Sequence, residues 1–107
     1  MKEFFVQLAF DFKNPGARDY DRFEVALGQI YLTRRLDDGH KIIPLPFNTF
    51  AGYLRGQNAQ EVIDRVGAEF HRFSWLDDFH GRYFITATLK DASKFDGDSF
   101  KFDGDSF

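Results

Sequence analysis

Asp11 is the residue of this chain most suggestive of chemistry, a lone carboxylate at the end of the alternating apolar run Phe4, Val6, Leu8, Phe10 and Phe12. A carboxylate at a strand exit can act in catalysis or hold a metal ion, or it can cap the turn that follows, here Asn14-Pro15-Gly16. Both roles are open to Asp11. Arg34 and Arg35 precede an Asp37-Asp38-Gly39 turn and could meet phosphates or pair with carboxylates across a hairpin. Arg55 and Gln57 lie just before Asn58, where a helix N-terminus could complete an anion site, and solvated loop residues would look the same.

Other chemistries are poorly served. His40, His71 and His80 have no two-histidine spacing suited to zinc, and there is no cysteine for a disulfide or a thiolate site. No Ser-His-Asp, Cys-His, P-loop or dinucleotide signature is present, and the glycines are scattered. A net charge of −3 argues against coating duplex DNA by bulk electrostatics, while leaving room for local basic patches. No apolar stretch approaches the length of a membrane span, so a soluble, cytoplasmic protein is expected. Phe is unusually frequent at 15 residues. Phe5, Phe50 and Tyr53 are expected on an open sheet face, where they could stack on bases or form a dimer interface.

The elements that must position these residues follow from periodicity. Alternation makes residues 4–12 a strand with Phe5, Gln7, Ala9 and Asp11 on its second face. Asp19 can cap a helix near 17–29 in which Tyr20, Phe23, Leu27 and either Ile30 or Tyr31 recur, with Gly28 weakening its end. Residues 31–36 read as a second strand, returned by 40–43 through the glycine turn, and Pro44 and Pro46 then force an edge, bulge or kink. A third main strand covers 48–54. The helix 58–73 has a capping-box variant in Asn58 and Glu61, an apolar stripe of Val62, Ile63, Val66, Phe70 and Phe73, and charged residues outside it. Glu61 with Arg65, and Arg65 with Glu69, fall at pairing distance. A loop at 74–81 is expected to tuck in Trp75, Leu76 and Phe79, and 82–89 closes the domain with Tyr83, Ile85, Ala87 and Leu89 on one face.

The last fourteen residues are two identical copies of Lys-Phe-Asp-Gly-Asp-Ser-Phe. Their four Asp and two Lys contribute −2 of the total charge, leaving residues 1–93 nearly neutral. Two short copies make no solenoid, and Asp-Gly-Asp lacks the further ligands of a calcium loop. One domain is therefore expected over 1–93, with 94–107 as an extension that is either flexible or a docking tail.

Strand, helix, strand, strand, helix, strand gives an α+β, ferredoxin-like βαββαβ domain, a four-stranded antiparallel sheet with two helices on one face. Within it, Leu8-Ala9-Phe10-Asp11-Phe12 resembles the first strand of VapD and Cas2-like small nucleases. Asn48-Thr49-Phe50-Ala51 leading into Ala59-Gln60-Glu61-Val62-Ile63 resembles the third strand and second helix of GhoS-type antitoxin endoribonucleases. The resemblance implies a small RNA-directed protein, an endoribonuclease acting as a homodimer. Asp11 would then be catalytic and the ligand of a shared metal such as magnesium, with Arg34, Arg35 and Arg55 on RNA. The alternative expectation is a non-catalytic protein-binding inhibitor or interaction module of phage or mobile-element type, using its aromatic sheet face or acidic tail.

Overall fold

The computed structural model describes residues 1–12, 19–37, 39–46, 48–76 and 81–93. The elements in chain order are β1 (Lys2–Phe12), α1 (Asp19–Gly28), β2 (Arg35–Asp37), β3 (Ile42–Pro44), β4 (Thr49–Gly56), α2 (Ala59–Leu76) and β5 (Gly81–Leu89), followed by a 3₁₀ turn (Lys90–Ala92). β1 lies in the centre of an antiparallel sheet of order β4-β1-β5, while β2 and β3 form a separate two-stranded ribbon. The described residues thus form an α+β fold, with two helices, a three-stranded sheet and a hairpin.

Alternation along β1 divides the sheet into two faces. Phe4, Val6, Leu8 and Phe10 are buried, and the register sets Leu54, Gly52 and Phe50 of β4 beside the first three of them. On the other side, Leu89, Ala87, Ile85 and Tyr83 of β5 stand beside the same four residues. Phe23 and Leu27 of α1 and Val62, Val66 and Phe70 of α2 complete this core. The ring of Phe10 is its hub, 5.8 Å from Phe23, 5.6 Å from Phe50 and 5.5 Å from Phe70. Full burial of such side chains stabilises by about 1.5–3 kcal/mol each, so this cluster outweighs any surface ion pair.

The expected fourth strand does not run continuously along the sheet. Tyr31 has φ 67° and lies outside extended backbone, so the segment begins with a turn. Thr33 bridges to Ala51, with N–H···O distances of 2.9 Å in both directions. The chain then bends at Arg34, and Arg35–Asp37 pair with Ile42–Pro44 instead of continuing beside β4. The reason is apolar: Leu36 and Ile43 bury themselves against Ala51, beside Phe5, Leu45 and Tyr53, on the sheet face away from the helices. A flat fourth strand would leave those two side chains without that cover. The turn between β2 and β3 has Gly39 at φ 91°, and its N–H donates to Asp37 Oδ1 at 2.8 Å.

This ribbon also corrects the expected bare aromatic face. Phe50 is opposite Leu8 and takes the helix side, where it is fully buried. Phe5 and Tyr53 are on the second face but half-buried beside the ribbon, their rings 5.9 Å apart. Helix α2 extends to Leu76, so positions 74–76 of the expected 74–81 loop are helical instead. Glu61–Arg65 and Arg65–Glu69 pairs do not form; Glu69 takes Arg72 at 2.8 Å, and Arg65 reaches another element. The expectations for Asn14–Gly16, Asp38, Phe79, His80 and the 94–107 tail lie outside the described residues. No helix among the described residues is long and apolar enough to cross a membrane.

Candidate functional site

The strand register places Asp11 directly across from Arg82, near the end of β1. Asp11 Oδ1 accepts from the Arg82 backbone N–H at 3.3 Å, and Oδ2 accepts from Arg82 Nη2 at 3.3 Å. The pair stands in solvent, with the Arg82 side chain 89% and the Asp11 side chain 52% exposed. Two residues along β5, on the same face, Phe84 is 68% exposed. An acid, a guanidinium and an aromatic ring therefore share one open end of the β1–β5 surface. Among the described residues no group of three or more His, Asp or Glu could hold a metal ion. Within one chain, the cation beside Asp11 is Arg82, and no described second acid completes a magnesium site there.

The other candidate cations are distributed over the molecule. Arg34 is drawn into the structure, its guanidinium 5.3 Å from the Phe50 ring centroid and its Nε 3.7 Å from Glu24 Oε2, which ties α1 to the sheet. Arg35 is exposed on the ribbon, where it pairs in register with Pro44. Arg55 is exposed at the opposite end of the sheet from Asp11, across from Glu3. Eight residues of β1 separate positions 3 and 11, about 26 Å at strand rise, so Arg55 and Asp11 cannot grip the same phosphate.

The helix terminus that follows Arg55 is already satisfied. Asn58 Oδ1 accepts from the Glu61 N–H at 2.9 Å, and the Glu61 carboxylate accepts from the Gln57 N–H at 3.3 Å. This is the capping-box variant legible in the sequence, and it sets an internal carboxylate where an external anion would have gone. Arg65, one turn further on, donates from Nη2 to the Arg55 carbonyl at 2.6 Å and fastens α2 to the end of β4.

Between α2 and the edge of β4 lies a cleft of about 590 Å³. Its apolar lining includes Ile30, Leu54 and Val66, and Tyr31, Arg55 and Arg65 bring the ring and the cations. Tyr31 occupies the left-handed position that ends α1. Leu32 N–H donates to the Leu27 carbonyl at 3.0 Å and Tyr31 N–H to the Gly28 carbonyl at 3.1 Å, the hydrogen-bond pattern of a Schellman motif. Leu27 and Leu32, both fully buried, belong to the same core cluster. Glycine is the residue that suits this position, and a tyrosine there is strained. The Tyr31 carbonyl packs onto Gly52 so closely that a Cβ at 52 would overlap it. The backbone of Tyr31 is thus pinned while the residue as a whole remains 73% exposed.

Glu3, at the same end, accepts from Lys90 Nζ at 2.8 Å, and Lys90 also stands 4.9 Å over the Tyr53 ring. The hydrogen bond from Lys90, together with the Lys90 and Arg55 charges, holds the Glu3 carboxyl below its ordinary range, and the same hydrogen bond raises Lys90. On the other flank of α2, His71 Nε2 and the Tyr83 hydroxyl are 2.7 Å apart with their rings edge to face.

The structure therefore does not gather Asp11, Arg34, Arg35 and Arg55 into one site. Arg82 and Phe84 join Asp11 instead, a grouping that depends on the β1–β5 register and was missed by reading along the chain. Tyr31 was missed because its spacing also suited a helix or a strand. Compared with known proteins, the chain matches no family model, and no curated protein or solved structure is significantly similar to it.

Proposed function

We propose that this is a small RNA-directed protein, of the GhoS and Cas2-like kind its sequence resembles, with the open end of the β1–β5 surface turned to RNA. The observation that carries the reading is the exposed Phe84 ring beside the Asp11–Arg82 pair. Unpaired bases stack on exposed aromatic rings, and guanidinium groups hold the adjoining phosphates. The near-neutral body suits a short single-stranded target better than a duplex. A ferredoxin-like ancestry for the sheet is supported by the order β5, β1, β4 followed by the Thr33 bridge, with the rest of the second strand turned aside as the ribbon. Cleavage would fall to Asp11, releasing it from Arg82 as phosphate takes the guanidinium.

The test is fluorescence anisotropy with a labelled ten-nucleotide RNA, paired with a cleavage assay in magnesium, in manganese and in chelator. Arg82→Ala and Phe84→Ala should weaken binding, and Asp11→Asn should abolish cleavage while leaving binding intact. RNA that stays whole in all three conditions removes the nuclease role. RNA that does not bind removes the reading altogether.

A second reading rests on the outer edge of β5, with which no described strand pairs. Residues 83–89 carry neither charge nor proline, so their backbone groups offer a template for strand addition by a second copy or another protein. This reading makes the protein an interaction module, and its homodimer a paired-edge one.

A further inference from the structure

We propose that the cleft between α2 and the edge of β4 binds a nucleotide, its base against Tyr31 and its phosphate toward Arg55. The inference is separate from the Asp11 end, about 26 Å away along β1. Three observations point the same way. A strained residue persists only where the surrounding structure holds it, and such positions cluster at ligand sites; here glycine would suit the backbone, yet an exposed tyrosine lines the cleft. The cleft wraps the edge of β4, from partly buried Ile30 beside the buried Leu54 and Val66 on the helix side to Tyr53 and Arg55 on the other face, so a flat aromatic body would meet Tyr31 and Ile30 with a cation within reach. Arg55, with its side chain 76% exposed, and Arg65 supply positive charge at the same place. The single acid among the described lining residues, Glu3, is drawn off by Lys90 at 2.8 Å and lies 3.8 Å from Arg55 Nε.

An aromatic surface with adjacent guanidinium groups recognises a base that carries a phosphate, whether in a free mononucleotide or an unpaired residue of a strand. Amide proton–nitrogen NMR titration with adenosine 5′-monophosphate and with adenosine, alongside anisotropy with the labelled ten-nucleotide RNA, separates these sources. If the free nucleotide is the ligand, the monophosphate shifts the resonances of Ile30, Tyr31 and Leu54, and adenosine does so more weakly. If a strand is the ligand, only the RNA binds there. In either case Tyr31→Gly should weaken the probe by roughly ten- to a hundredfold, the loss of one stacked base, with the melting temperature not lowered. Arg55→Gln should weaken the phosphate-bearing probe, and Glu3→Gln, which releases Arg55, should tighten it without affecting adenosine. RNA binding that is unchanged in both Tyr31→Gly and Arg55→Gln, with no effect of the monophosphate, overturns the cleft while leaving RNA recognition at Phe84 intact. Failure of both the monophosphate and the RNA to bind overturns the cleft and, through the RNA arm, the reading at the Asp11 end with it.

Discussion

Tyr31 shows how a single position can oppose stability and exposure. Its left-handed backbone costs a non-glycine residue about 1–2 kcal/mol, while glycine costs roughly 0.5–1 kcal/mol in unfolded-state entropy. With Tyr31 73% exposed, little burial is lost on removing its side chain. Tyr31→Gly is therefore expected to leave stability unchanged or raise it by up to about 1 kcal/mol, as read from urea unfolding. A clear loss would mean that the ring packs more firmly than its exposure indicates. Glu3 and Lys90 make a pH-dependent prediction. A carboxyl whose folded value is depressed contributes stability above its unfolded value, lost as pH falls through the folded value; the raised Lys90 contributes below its unfolded value, lost as pH rises through the folded one. The clamp is thus complete between the acid and alkaline limbs, and Glu3→Gln should flatten the dependence of melting temperature on pH at both. Equal slopes in the two proteins would count against the pair. At this scale the sequence exposed the types of residue and hid their partners: Asp11 was legible as a strand-end acid, but its bond to Arg82 spans seventy-one positions and depends on register.

Periodicity succeeded best among the elements wherever one face of an element meets one core. Helix α2 is the clearest case, since Val62, Val66 and Phe70 are buried as their spacing requires and its cap is built from the two residues that signalled it. Phe70 touches Phe10 of β1, Phe23 of α1 and Tyr83 of β5, so it joins both helices to the sheet. Phe70→Ala should cost about 3–5 kcal/mol in equilibrium unfolding, and a cost below about 1 kcal/mol would show that the helix does not close this core. Periodicity failed at the second strand. The apolar spacing of Leu32, Leu36 and Ile43 does not say that the first faces the helices while the other two cross to the opposite side. A bend at Arg34 makes that exchange, and its driving force is the cover that the ribbon gives to Ala51, Phe5 and Tyr53. Phe50 was misread for a related reason: placing it with Tyr53 ignored that residues three apart on one strand face opposite ways.

For the whole molecule, the balance of its two sheet faces bears on self-association. The ribbon and the Lys90 contact cover much of the aromatic surface that would have favoured a face-to-face dimer, while Gln7, Asp11, Arg55, Arg82 and Thr88 leave the rest of that face mostly polar around the exposed Phe84. The β5 edge is the stronger candidate for contact between copies. Pairing all of Gly81–Leu89 with its symmetry mate would centre the twofold on Ile85 and set Arg82 opposite Thr88. In that arrangement the two Asp11 side chains would stand about 25 Å apart, from three strand spacings across and six residues along, too far for a shared metal. The register also carries a charge test. Thr88→Lys would place a like charge opposite Arg82 and should weaken the dimer, whereas Thr88→Glu should strengthen it, since directly opposed charges act through cross-strand pairing. Sedimentation equilibrium at low salt and again at high salt would show the two variants moving in opposite directions, with the difference shrinking as salt screens it. If both variants associate alike, this edge is not the contact, and a dimer that brings the Asp11 residues together through another surface becomes the arrangement to seek.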